Sequence, residues 1–270
     1  MQDKVDFLAR KYTKYFFIII LTTIVVVTFG GLTKGKNITL PFKASYPYDY
    51  NNCSSKFWLS YISQCLSVYC GGLVTIGFET FIMVLIIQIC SQLDIIYHRL
   101  QTLPYLNKNN MSNETKEAKI IKECVLHHNY IYTLSEKLND IFSIVFGVQF
   151  VGSIVNICTL VYSLTSRNEL NDKFFAHALL LQSMLFQIYI YCYAGNEVML
   201  KSLKVADIID IVDWTMLARK TKEGLLLIAV RSKKPIIISG GPMISMTLTT
   251  FVTILRTSYA AYNLLESSHA

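Results

Sequence analysis

Five stretches of the chain carry no charged side chain: Tyr15 to Thr33, Phe57 to Phe78, Ile141 to Ser166, Phe174 to Asn196 and Pro235 to Leu255. A hydrocarbon core of roughly 30 Å is crossed by about 20 helical residues, and lipid obliges every backbone group to bond within its own helix. Each stretch is long enough to span. Runs such as Phe16 to Leu21 lack the alternating polarity of a membrane barrel strand, so the pattern predicts an all-α, polytopic membrane helix bundle.

Some helices outrun the bilayer. The second apolar run resumes after Glu79 and continues to Leu93, so a helix from residue 57 to 93 would extend about 55 Å. Glu79 then falls about 33 Å from Phe57, near the inner interface, where a structural role is expected. Ile121, Val125, His128, Ile131, Leu138 and Ile141 recur at near-helical spacing, which predicts an amphipathic helix feeding the third span. Trp214, Leu217, Leu225 and Ile228 among charges predict another over Asp207 to Arg231. Pro235 and Gly240-Gly241-Pro242 interrupt the pattern and place the last membrane helix from near Pro242. The domains expected are a bundle over residues 1–200, an anchor helix over 201–235 and a C-terminal helix over 236–270.

Composition agrees: 53% of residues are hydrophobic and only 16% charged, with a mean hydropathy of +0.40. The net charge of +7 is spread over the connections between spans rather than gathered on one face, which argues against nucleic acid as a partner. Eighteen of the 25 Lys and Arg residues lie in residues 1–14, 94–140 and 197–234. The basic side is expected to be cytoplasmic, which puts the N-terminus inside and the C-terminus outside. Glycosylation sequons at Asn37 and Asn52 lie in the predicted outer loop, although Asn110 and Asn113 also fit the motif on the predicted inner side. The opening is read as a retained span, not a cleaved signal.

On a helical wheel Ile244, Leu248, Phe251, Leu255, Ser258, Tyr262 and Leu265 form one stripe of the last helix, with Glu266 beside its outer end. Such a stripe suits helix packing, and equally a hydrophobic constriction with an acidic mouth that favours cations. No nucleophile elbow, zincin motif, P-loop or dinucleotide fingerprint is present, so no enzyme and no cofactor is expected. His127 and His128 are adjacent on a helix and point about 100° apart, which prevents joint chelation, and no metal site is expected. The seven cysteines show no CxxC; Cys53 with Cys65 or Cys70 is the one pairing near the outer face.

Several strings resemble a known family. Leu225-Leu226-Leu227-Ile228, Arg231 to Pro235, Thr250-Phe251 and Ile254 to Tyr259 resemble the C-terminal signature of insect odorant receptors. Leu40 to Asp49 is similar to that family's second outer loop, and Tyr191 to Glu197 to its sixth span. The resemblance implies a ligand-gated, nonselective cation channel of inverted topology in the cell membrane of olfactory neurons, a heterotetramer with the family's shared coreceptor that responds to a volatile odorant. It implies that the five spans correspond to spans three to seven of a seven-span receptor, with the first two lacking, and that a truncated, assembly-only subunit is the alternative. A gustatory-type receptor fits less well, because Ser258-Tyr259 and Leu265-Glu266 stand where that group carries a different ending. By the same resemblance Ser258, Tyr262, Leu265 and Glu266 belong to the pore and gate, and Trp214, Leu217, Leu225 and Ile228 to the subunit anchor. Val26, Gly30, Tyr69, Leu73, Leu181 and Met184 are ligand-pocket candidates by depth.

Overall fold

The computed structural model describes residues 2–29, 40, 42, 55–104, 114–165, 172–213, 217–241 and 244–269. Gly30, Asn37, Asn52, Cys53, Asn110, Asn113 and Trp214 lie outside them, as do the side chains of Leu265 and Glu266. The elements are α1 (Gln2–Phe29), α2 (Ser55–Thr102), α3 (Glu114–Thr165), α4 (Asp172–Lys204), the single turn α5 (Ile208–Ile211), α6 (Arg219–Ser232), a two-residue hairpin β1 (Ser239–Gly240) and β2 (Ile244–Ser245), and α7 (Leu248–His269).

α2 and α3, of 48 and 52 residues, are each more than twice the length a bilayer core accommodates. Among the described residues four helices, α1 to α4, are long and apolar enough to cross a membrane, and at most 33% of any of their apolar windows is buried inside the chain. Apolar surface on that scale needs lipid or other subunits to cover it. The chain is a multi-pass membrane protein.

Two compact units form. One joins Met83–Gly152 to Tyr189–Ile254, with Met1–Phe7; the other joins Leu8–Ile82 to Ser153–Ile188 and Leu255–Ala270. In the first unit α6 runs parallel to the start of α3. Glu117 accepts the N–H of Ala218, His128 lies 3.0 Å from Ser232, and the Tyr132 hydroxyl donates to the carbonyl of Lys234 at 3.0 Å. In the second, the Tyr61 hydroxyl donates to the carbonyl of Thr28 at 2.8 Å and ties α2 to the end of α1.

Two expected elements differ. The uncharged run from Pro235 does not form one span: its described residues 235–241 and 244–247 are non-helical and carry the short hairpin, and the helix starts at Leu248 instead of near Pro242. Gly241 takes φ +69, which favours glycine, and the Thr247 hydroxyl caps α7 by accepting the N–H of Thr250. Among its described residues, the amphipathic segment over Asp207 to Arg231 holds two helices, α5 and α6. Its opening, Ile208-Ile209-Asp210-Ile211-Val212, is dominated by β-branched residues of weak helix propensity, and Val212 is already extended.

Candidate functional site

Three places concentrate the residues that chemistry would use. The first is α7, the helix expected to border an ion path. Ser258 is 3% exposed, its carbonyl accepts the Cys158 thiol at 3.4 Å, and its own hydroxyl is buried without a partner. That contact fixes how the helix is rotated. Thr253, Arg256, Ala260 and Asn263 fall on the opposite side and are exposed. Tyr262 is half-buried with its ring 6.2 Å from that of Tyr259.

The second place is the bundle that holds the pocket candidates. Val26, Tyr69, Leu181 and Met184 are half-buried, whereas Leu73 is exposed. Deeper along the same helices, Gln187 of α4 donates its side-chain amide to the carboxylate of Glu79 on α2, and both side chains are buried. The charge expected at a membrane interface is thus bonded across two spans, as a carboxylate removed from water requires. Near the start of α2, Gln64 brackets Phe42, accepting its N–H and donating to its carbonyl, each at 3.1 Å. Cys65 and Cys70 are free thiols.

The third place is the end of the molecule built from α4, α5 and α6. Leu217, Leu225 and Ile228 of the expected anchor are buried within their own unit, and the outward face of α6 presents Leu226, Leu227 and Val230 instead. A cleft of about 650 Å³ opens beside it, lined by Leu203, Ile209, Leu226 and Val230 together with Asp207 and Asp210. Lys201 pairs with Asp94, and the Lys204 ammonium sits 4.6 Å from the Tyr97 ring. Arg231 covers the Tyr132 ring at 4.2 Å and reaches Glu136 at 3.3 Å. His128 belongs to this end, well before the uncharged run that starts at Ile141. Burial, the Arg231 charge and neighbouring His127 push its imidazole down to about 4.

The wheel found the apolar stripe of α7 and the amphipathic face of α6, but not which neighbour each face meets. Asn139, Gln64, Gln187 and Ser202 escaped it. Their partners lie 22 to 108 residues away, so no local period marks them.

Long helices with lipid-sized apolar windows and a buried, bonded carboxylate between them define a polytopic membrane helix bundle. The chain belongs to the 7tm odorant receptor family, whose model matches residues 2–259. It is 24% identical over 226 residues to odorant receptor 67c of Drosophila melanogaster, covering 83% of this chain and 54% of that protein. It is 23% identical over 256 residues to odorant receptor 13a of the same fly, covering 90% of this chain and 61% of that protein. The chain therefore spans little more than half the length of these curated relatives. Its fold matches the insect olfactory receptor OR5 from Machilis hrabei, solved in complex with eugenol, with a TM-score of 0.81 at 16% identity over 98% of this chain and 68% of that one.

Proposed function

We propose that this chain acts as an odorant receptor subunit that binds volatile small molecules and gates a nonselective cation channel together with the family's shared coreceptor. The observation that carries the reading is the family match over residues 2–259. α7 supports it: beside the exposed Val252, Tyr259 and Leu264 it turns the polar Thr253, Arg256 and Asn263 outward, side chains that suit a water-filled path. Tyr262, Leu265 and Glu266 form the narrow outer end of the path, with Ser258 holding the helix from behind. The pocket draws on Val26, Gly30, Tyr69, Leu73, Leu181 and Met184, apolar surface that suits a volatile ligand.

The excess of Lys and Arg in residues 1–14, 94–140 and 197–234 supports a cytoplasmic N-terminus and an extracellular C-terminus. Neighbouring subunits meet at the outward face of α6, where Leu226, Leu227 and Val230 and the adjoining cleft await a covering surface, while Leu217, Leu225 and Ile228 form the packing behind it. The test is recording from cells that co-express this chain with the coreceptor. An inward current evoked by members of a broad odour panel and carried by both sodium and potassium is expected. Silence from chains shown to be at the surface overturns the channel reading, and coprecipitation without current would identify an assembly-only subunit.

A further inference from the structure

Between α6 and α7 the described residues 235–241 and 244–247 are not helical, yet they are rich in side chains that belong in lipid or in a core: Ile236, Ile237, Ile238 and Met246. Non-helical backbone at such a place persists only where the protein itself supplies hydrogen-bond partners. Here it does. The Tyr132 hydroxyl donates to Lys234, the Ser202 hydroxyl accepts the N–H of Ile236 at 3.0 Å, and Met246 donates to Ile238 at 2.8 Å. Gly241 donates to the carbonyl of Ser143 at 2.8 Å, and the hairpin pairs Ser239 with Ser245 and Gly240 with Ile244.

Asn139 is the centre of this set. Its amide nitrogen donates to the carbonyl of Ile237 at 2.7 Å and its amide oxygen accepts the N–H of Ser239 at 3.0 Å. In extended backbone the carbonyl of one residue and the N–H two residues on point the same way, so a planar group with adjacent donor and acceptor imitates a neighbouring strand. Aspartate has no donor to offer, and a serine hydroxyl cannot reach both groups at once. Tyr132, Asn139, Ser143 and Gly147 follow one another along one face of α3, so the segment is gripped along about four turns of that helix.

The grip is close. A Cβ placed on Gly240 would stand 3.0 Å from the backbone nitrogen of Gly147, and one on Gly195 of α4 would collide with the backbone oxygen of Met246. The segment is thus bonded to α3 and pressed against α4 immediately before the Thr247 cap from which α7 begins.

We infer that Asn139 is a positioning residue for α7: its two-point bond to Ile237 and Ser239 makes residues 235–241, paired with 244–246, a stiff strap through which α3 sets the placement of the first turns of α7. The consequence for gating rests on the channel reading, but the mechanical claim does not. Hydrogen exchange on the purified full chain in lipid nanodiscs tests it, comparing wild type with Asn139→Ala and Asn139→Asp. The aspartate keeps the acceptor for Ser239 and loses the donor to Ile237.

Exchange is expected to rise about tenfold in Asn139→Ala at residues 236–241 and also at 250–255, with a smaller rise in Asn139→Asp and no change along residues 86–100 of α2. A local structural role would raise the first segment alone. A rise confined to 236–241, or none, overturns the inference. Should the alanine variant fail to fold, the aspartate variant answers the same question. In cells, Asn139→Asp at wild-type surface level should reduce the odour-evoked current severalfold. If the exchange pattern is found while wild type itself carries no current, the channel reading falls and the strap remains.

Discussion

α2 carries the same apolar residue types along its whole length and uses them in opposite ways. In its first half Leu59, Ile62, Leu66, Leu73 and Val74 are 60 to 72% exposed. In its second half Ile86, Ile89, Leu93, Ile96 and Leu100, continuing to Leu103 just beyond the helix, are 0 to 2% exposed. The buried set advances by alternate steps of three and four, the seam of a helix that packs on others and shows its polar side to water. The exposed set gathers on one face, about a third of the helix circumference, and is what lipid stabilises. One unbroken helix therefore passes from a solvent that wants apolar side chains outside to one that wants them inside, with Glu79 near the changeover.

The largest effect expected from breaking this contrast comes from the seam. Leu100→Ala removes a side chain with no exposed surface and leaves a cavity, at a cost of about 3 to 4 kcal/mol. The equivalent truncation Leu66→Ala, at a position 63% exposed, trades one lipid contact for another and should cost less than about 1 kcal/mol. Thermal unfolding of the two variants in the same detergent checks the pair; equal losses would mean that the two halves share one environment.

A charge sharpens the contrast from the other side. Leu66→Lys near the middle of the span should oppose membrane integration by about 3 kcal/mol, seen as a protease-accessible fraction of newly made chain. Leu126→Lys, at a position 61% exposed on the early part of α3, should change stability by less than about 0.5 kcal/mol. The two leucines are equally exposed, so any difference between them measures the surrounding solvent.

The same distinction explains what the sequence could reveal. The spans were legible because lipid acts on every residue of a window, and an absence of charge over twenty positions is hard to produce otherwise. The distal seam of α2 was partly legible, since the apolar run to Leu93 implied a helix longer than the bilayer. Pro235 to Leu255 misled the charge pattern: it too lacks charge, and what shapes its first half is Pro235, the two glycines, the Thr247 cap and a set of bonds to α3 and α4. Those bonds leave no trace in local spacing, because Asn139 and Ser202 look like any polar residue until the backbone they hold arrives from 34 to 100 residues away. The α6 residues teach a similar lesson. Amphipathicity marked Leu225 and Ile228 as contact residues, but a wheel cannot tell an inward contact from one with another subunit.

The smallest of the three contrasts separates the two environments by pH. His128 lies 2% exposed at the water-facing end, 3.0 Å from the Ser232 hydroxyl and 4.8 Å from the Tyr132 ring, with Arg231 and His127 nearby. A protonated ring could still bond Ser232, so what disfavours it is burial and the adjacent positive charge. The folded value of about 4 lies below the 6.5 of an unfolded chain, so below pH 6.5 the unfolded state binds the extra proton and stability falls with pH until folded His128 also titrates. Between pH 7 and 5.5 the loss should be about 1 kcal/mol, read as a lower melting temperature. His128→Gln keeps a polar partner for Ser232 without a titrating group and should remove most of that dependence. If its acid loss matched that of the wild type, the proton would be binding elsewhere, and the buried histidine would not be what makes this end of the molecule sensitive to water's acidity.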